Sequence, residues 1–358
     1  MSKIVFFSGG IDRYGGTERV LSIVSSQLSR RGHEVIIVSM CGECKSHYPL
    51  DENIRLIFMQ AKGFAKGITA NLSKLGKIIE EEKPDFWIDV DIILGLYTGL
   101  VRKKHRGMKW ISWEHFNYYT VFPYYKKLRA YTRKMVCKKS DCLVVLSKED
   151  EGYYRANEKI RHKLISIHNP SPYEICIPKG NKKKIILAAG RLLKIKGYDM
   201  LAEAWGLICE KYPDWNLVIA GEGEERENIE NIIQEKNIKN ISLPGFVENM
   251  PEMYKESSMF VLSSRNEGFV MVLLEAMSFG LPCVGFGCKA GVKEIIADGE
   301  TGYIAEPENI SDLAAKMELL INDEEIRDQM SQKAIESVKR FDINVITDQW
   351  EDLFKSLV

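Results

Sequence analysis

Two carboxylates and two cations in the second half of the chain carry the most legible chemistry. Glu267 stands in the polar run Ser263-Ser264-Arg265-Asn266-Glu267-Gly268, and Glu275 follows it. Carboxylates accept hydrogen bonds from vicinal hydroxyls, so such a pair can grip a sugar and a ribose. Arg191 and Lys196 flank a short turn in Gly190-Arg191-Leu192-Leu193-Lys194-Ile195-Lys196-Gly197. Two cations converging there can hold a diphosphate, Arg by its planar fork and Lys as a point charge. Each group also has a plainer reading. Glu267 could be a helix N-cap, Glu275 a solvated helix residue, and the two cations ordinary surface charges.

The elements that must position these groups are readable. Met259-Phe260-Val261-Leu262 is a short apolar run that reads as a buried strand. Leu273, Leu274, Met277 and Leu281 recur at helical spacing, and Gly280-Leu281-Pro282 ends the helix. The order is strand, polar loop, helix. Glu267 falls at the junction, with Glu275 about two turns on along the same helix face. A helix start offers unpaired N–H groups and a partial positive charge. Gly268 lets a ligand approach the backbone. Crowding by Leu274, Ala276 and Met277 argues against a solvated Glu275.

The first half opens with a strand, Lys3 to Ser8, then the loop Gly9-Gly10-Ile11-Asp12-Arg13-Tyr14-Gly15-Gly16-Thr17-Glu18-Arg19. An amphipathic helix carries Val20, Leu21, Ile23, Val24 and Leu28 and ends at Gly32; Glu34 to Met40 is the second strand. This is the opening of a Rossmann-like domain. It lacks a clean GxGxxG and an acid at the end of the second strand, which disfavours a nicotinamide dinucleotide. The N–H groups near Gly15, Gly16 and Thr17 either contact phosphate or substrate, or the glycines serve a tight turn. Further strands are expected near Ile54–Phe58, Phe86–Val90, Trp110–Trp113, Asp141–Ser147 and Leu164–Pro170, with a helix from Ala70 to Glu82. His115 follows one of these strands at its carboxyl end, where α/β proteins bind ligands, although a lone His is usually structural.

Residues 102–139 hold twelve Lys or Arg and a single acid, Glu114. Trp110, Trp113, Phe116, Tyr118, Tyr119, Phe122, Tyr124, Tyr125 and Tyr131 interleave with them. The part from Tyr124 to Lys139 reads as a basic amphipathic helix. A solvated face is one reading. Nucleic-acid binding is another, but no binding motif accompanies the patch. An anionic membrane surface fits best, because the cations meet lipid headgroups while the aromatic rings suit the interface.

Composition bounds the rest. The chain has 358 residues, 45% apolar and 28% charged, enough for two globular domains. Net charge is zero but uneven. Residues 1–169 hold 29 Lys+Arg against 18 Asp+Glu, net +11, and residues 170–358 hold 21 against 32, net −11. No apolar run approaches the roughly 18 residues of a spanning helix. With no signal peptide evident at Met1, a reduced, cytoplasmic protein is expected. Cys41-Gly42-Glu43-Cys44 has no second pair at zinc-ribbon spacing, so it reads as loop cysteines before it reads as a metal or redox site.

The Glu267-to-Glu275 pattern resembles the Glu-x7-Glu signature of retaining glycosyltransferases of family GT4, which have the GT-B fold. Gly-Arg-Leu-x3-Lys-Gly, at Gly190–Gly197, is similar to that family's diphosphate loop; Lys196 takes the motif's Lys position and Lys194 does not. Gly-Gly-Thr-Glu-Arg after the first strand, the pair Glu114-His115, and Asn169-Pro170 at the hinge fit the same pattern. The resemblance covers nearly the whole chain. It implies an α/β architecture of two Rossmann-like domains facing across a cleft. An acceptor domain would span 1–169 and a nucleotide-sugar domain 170–340, with residues 341–358 crossing back.

The resemblance also implies roles. Arg191 and Lys196 would neutralise the leaving diphosphate. Glu267 would hold donor sugar hydroxyls and Glu275 the ribose. His115 would contact a sugar hydroxyl, without serving as a general base. Gly221, Gly223, Gly268, Phe269 and Val270 would line the donor, and the backbone at Phe246 and Val247 would meet a uracil edge. Gly15, Gly16 and Thr17 would lie near donor phosphates and acceptor. No metal or other cofactor is expected; Asp89-Val90-Asp91 has the spelling of a metal motif but falls beside a first-domain strand. The expected reaction moves a hexose or N-acetylhexosamine from a UDP-sugar to a saccharide acceptor, often lipid-linked, on the inner face of the cell membrane. The rivals are a GT-B epimerase or phosphorylase, and a non-catalytic membrane-binding module.

Overall fold

Short apolar runs alternate with amphipathic segments along the whole chain, and such a pattern builds parallel sheets covered by helices. The computed structural model describes residues 1–64, 66–105, 107–121, 125–176 and 182–358. It separates into two units, Met1–Pro170 with Ile343–Val358, and Ser171–Asp342.

In the first unit the strands are β1 (Lys3–Ser8), β2 (Glu34–Ser39), β3 (Arg55–Phe58), β4 (Phe86–Val90), β5 (Lys109–Trp113), β6 (Cys142–Val145) and β7 (Lys163–Ser166). Their order across the sheet is β3-β2-β1-β4-β5-β6-β7, all parallel. The helices are α1 (Gly16–Arg30), α2 (Ile68–Glu82), α3 (Gly95–Val101), α4 (Lys126–Lys139) and α5 (Lys148–Asn157). Ser147 starts α5 by accepting the Asp150 N–H at 3.0 Å, a local cap that removes one orphan donor. The strands β1 and β4 are buried on both faces, which is why they read as continuous apolar runs.

The second unit repeats the plan. Its strands are β8 (Ile185–Ala189), β9 (Asn216–Ala220), β10 (Ile241–Gly245), β11 (Met259–Leu262), β12 (Cys283–Phe286) and β13 (Gly302–Ala305), in the order β10-β9-β8-β11-β12-β13. Its helices are α6 (Tyr198–Gly206), α7 (Arg226–Glu235), α8 (Met250–Glu256), α9 (Met271–Ser278), α10 (Val292–Ile295), α11 (Ile310–Asn322) and α12 (Glu324–Val338). Its core gathers Ile186, Leu201, Trp205, Leu217, Met259, Val284 and Met317.

The last helix, α13 (Ile343–Leu357), belongs to the first unit. Trp350 is fully buried and meets Trp113 edge-on, with ring centroids 5.0 Å apart. Phe354 packs on Phe86 at 4.5 Å. Arg31, just past α1, donates to Asp348 at 2.5 Å and Glu351 at 3.1 Å. Both sheets place the reversal of strand order beside their first strand, between β1 and β4 and between β8 and β11. Open α/β sheets bind ligands outside the carboxyl ends at that reversal. All eight cysteines are free thiols. Among the described residues, no helix is long and apolar enough to cross a membrane.

Candidate active site

In the second unit, the two strands at the reversal end in the two loops of interest. β8 leads into Gly190-Arg191, and β11 leads into Ser263–Val270. The loops are laced together. Arg265 N donates to Ile195 O at 2.8 Å, and Ser263 Oγ donates to Lys196 O at 3.0 Å. Arg265 also donates to Asp199 at 2.9 and 2.8 Å, and Lys194 joins the same carboxylate at 2.6 Å. Burial works to raise the Asp199 carboxyl, but Arg265 and Lys194 win and hold it down to about 2.

This lacing brings Lys196 and Glu267 into contact. Lys196 Nζ donates to Glu267 Oε1 at 2.7 Å, and Ser264 Oγ donates to the same oxygen at 2.6 Å. Arg191 is exposed, and among the described residues its guanidinium has no partner. One cation of the pair is therefore engaged with an acid and the other points to solvent. Lys194 lies outside this contact and serves Asp199 instead.

Glu275 is only 5% exposed, and Tyr254 Oη, from α8, donates to its Oε2 at 2.8 Å. The expectation that Glu267 and Glu275 share one helix face is corrected. α9 starts at Met271 with Val270 as its N-cap, so Glu267 lies ahead of the helix in the loop. Phe269 and Val270, expected to line the donor, lie in the same loop. Both side chains are buried, and Phe269 packs on Phe341 at 5.7 Å, so only their backbone can meet a ligand. Gly268 sits in the same bend.

At the ends of β8, β9 and β10 the backbones run side by side. Gly190 N donates to Ala220 O at 2.9 Å, and Gly221 N donates to Gly245 O at 2.8 Å. Gly223 follows in the turn before α7. Phe246, just beyond β10, is 61% exposed, while Val247 is half-buried. Gly221, Gly223, Phe246 and the Arg191 loop thus share one end of the sheet.

The first unit supplies the other candidates. Gly15 is the N-cap of α1, extended and without a side-chain cap, and Gly16 and Thr17 begin the helix. His115 follows β5 and is 6% exposed, with its ring centroid 4.3 Å from that of Trp113. Its Nε2 is buried and has no hydrogen-bond partner among the described residues. Burial, and then the Arg129 charge, hold the imidazole down to about 3, so it is neutral at physiological pH. Unfolded, this ring takes a proton as pH falls through its ordinary value; folded, it does not until about 3. Its contribution to stability is therefore intact above about pH 6.5 and declines below it, by at most about 1.4 kcal/mol per pH unit. Denaturant unfolding of wild type and His115→Gln from pH 7 to 4 should show the shallower acid loss in the variant.

Asp89-Val90-Asp91 is not laid out as a metal motif. Asp89 is fully buried and accepts from Trp87 Nε1 at 3.1 Å, Thr98 Oγ1 at 2.5 Å and Trp110 Nε1 at 2.6 Å. Burial pushes its carboxyl up to about 7 against those three donors.

The basic stretch is narrower on the surface than in the sequence. On α4, Lys126, Lys127, Tyr131, Lys134 and Lys138 face outward. Arg129 is buried, and Arg133 lies 4.2 Å over the Tyr118 ring. Trp110 and Trp113 are core residues. Arg102 donates to Asp141 at 2.6 Å. Arg106, Phe122 and Tyr124 fall outside the described residues.

Several partners escaped sequence reasoning. Tyr254, Ser264, Arg265 and Asp199 hold the acids and loops in place. Their contacts depend on how α8, α9 and α6 pack, and no local spacing announces them.

Comparison with known proteins places this geometry in a family. The model described as glycosyltransferase family 4 matches residues 14–171, and the model described as glycosyl transferases group 1 matches residues 177–337. An uncharacterized glycosyltransferase of Haemophilus influenzae is 32% identical over 99% of this chain and 100% of its own. A Campylobacter jejuni α-1,4-N-acetyl-D-galactosaminyltransferase, named for its undecaprenol-diphosphate-linked substrate, is 26% identical over 98% of this chain and 97% of its own. A crystal structure of Staphylococcus aureus TarM, in complex with fondaparinux, α-GlcNAc-glycerol and UDP, superposes with a TM-score of 0.84 at 16% identity, covering 99% of this chain and 100% of that one. The chain belongs to the group 1, family 4 glycosyltransferases, and is a glycosyltransferase with the GT-B fold.

Proposed function

We propose that the chain moves a hexose or N-acetylhexosamine from a UDP-sugar to a saccharide acceptor, with retention at the anomeric carbon. The acceptor is lipid-linked, and the product enters bacterial polysaccharide or glycan assembly. One observation carries the reading. An exposed Arg191 and a Lys196–Glu267 pair stand in the two loops that follow β8 and β11, where the sheet's strand order reverses. An incoming diphosphate finds one cation ready and one to recruit, and an acid beside them for sugar hydroxyls.

The bond that breaks joins the anomeric carbon to a phosphate oxygen. Negative charge grows on the leaving UDP, and Arg191 and Lys196 stabilise it without a metal. The acceptor oxygen bonds to the anomeric carbon on the face the phosphate leaves. Its proton passes to the departing phosphate oxygen. Glu267 orients the donor sugar, Glu275 the ribose, and His115 contacts a sugar hydroxyl as a neutral ring. The UDP held by the TarM crystal and the lipid diphosphate in the Campylobacter relative's name support this choice of donor and acceptor. The outward cations of α4, with Tyr125 and Tyr131 beside them, would rest on the anionic inner face of the membrane.

Calorimetric titration with UDP, GDP and a panel of their sugars tests the reading. UDP should bind, GDP should not, and one UDP-sugar should bind better than UDP. Glu267→Gln should leave UDP affinity intact and erase that sugar-dependent gain. Preference for GDP, or turnover of a UDP-sugar without any acceptor saccharide, would overturn it.

A further inference from the structure

Arg129 is a heavily engaged buried charge of the first unit, and no step proposed above uses it. It sits on α4 but turns away from that helix's solvent face and is 5% exposed. Its Nη2 donates to both oxygens of Glu114, at 2.6 and 2.7 Å, and its Nη1 donates to Asp91 Oδ1 at 2.7 Å. Glu114 is 1% exposed and also accepts the Phe116 N–H at 3.0 Å. The Arg129 guanidinium lies 5.2 Å from the Phe116 ring centroid. Arg129 therefore grips the residue before His115 and the residue after it.

Its other partner is strained. Asp91 has φ +110° and ψ 132°, a left-handed conformation that non-glycine residues avoid. The residue is tied at several points, since its N–H donates to Trp113 O at 2.9 Å and its Oδ1 accepts the Ile93 N–H at 2.9 Å. Strained backbone persists where its surroundings over-determine it, and it clusters at functional sites. A buried ion pair is poor evidence for stability, because apolar packing of equal volume holds a fold as well. What the planar fork adds is a fixed angle between two strand ends and a helix.

We propose that Arg129 is a positioning residue. It ties Asp91 and Glu114, at the carboxyl ends of β4 and β5, to α4, and so fixes the loop that presents the His115 ring. The proposal rests on the reading of His115 as a contact to the donor sugar.

The test uses the full chain with Arg129→Lys, which keeps a charge and loses the fork, and Glu114→Gln, which keeps the shape and loses the ion pair. Each should lower kcat with the UDP-sugar found above, on the order of 10²-fold, while the affinity for UDP alone holds. Combined with His115→Ala, neither should cost anything further, because the ring it positions is already gone. Multiplying losses in the double variants would overturn the proposal. If Arg129→Lys does not fold, Glu114→Gln carries the same cycle. Ring signals of ¹⁵N-labelled histidine, assigned by their loss in His115→Ala, give a readout independent of any donor. The His115 signal should be single in wild type and broadened or doubled in both variants. An unchanged His115 signal would overturn the proposal, whereas a changed signal with no UDP-sugar bound would sustain it and fail the donor reading alone.

Discussion

Arg191→Ala should lower kcat by about 10²- to 10³-fold, the loss typical when one charge-stabilising donor is removed from a developing anion. The melting temperature should not move. Arg191 is exposed and its guanidinium has no partner among the described residues, so the folded protein loses no contact with it. Lys196→Ala should behave differently. It removes the 2.7 Å partner of Glu267, whose side chain is 11% exposed, and so leaves an acid to reorganise before any donor arrives. Steady-state kinetics with thermal unfolding separate the two. An Arg191→Ala enzyme that turns over at wild-type rate would remove the diphosphate from this loop.

Gly197→Ala should be a strongly damaging single methyl in the second unit. Gly197 has φ +67°, and a Cβ there would stand 2.0 Å from the Ser263 carbonyl oxygen. That oxygen is backbone and cannot swing aside. The left-handed conformation and the clash together should cost on the order of 2–4 kcal/mol. For a unit of this size the loss corresponds to roughly 5–15 °C in Tm. The clash also drives apart the two loops that bring Lys196 to Glu267, so sugar-dependent binding should fall with stability. Gly299→Ala is the control. Its φ is +75°, but no atom lies within 4 Å of the added carbon, so it reports the conformational cost by itself. Equal Tm losses in the two variants would show that the Ser263 contact is not decisive.

The strands were legible because both sheets are buried and parallel, so β1, β4, β8 and β11 appear as bare apolar runs. The site loops were legible because Gly, Arg, Lys and Glu punctuate the ends of those runs. What spacing could not supply was direction. Phe269 and Val270 sit in the most informative stretch, yet their side chains turn into the core. Arg129 and Arg133 counted among the cations of a surface patch, yet they point inward, because a helix with twelve nearby charges still has one face to bury. Glu267 falls at the strand-to-helix junction in the sequence, but the helix begins only at Met271, after the extended Val270. Asp199 and Tyr254 gave no signal, since each matters only through a partner far along the chain.

The helix α13 has a consequence for biosynthesis. The second unit is one uninterrupted stretch, while the first needs residues 343–358 to be whole. A ribosome that has just released Asp342 has already delivered every residue of the later unit, but the earlier one still waits for its closing piece. Until Trp350 arrives, Trp113 lacks the ring it rests on, and Trp113 in turn backs His115. The unit whose translation begins first is thus completed only after every residue of the other has been made, and Trp113, which backs His115, waits on Trp350.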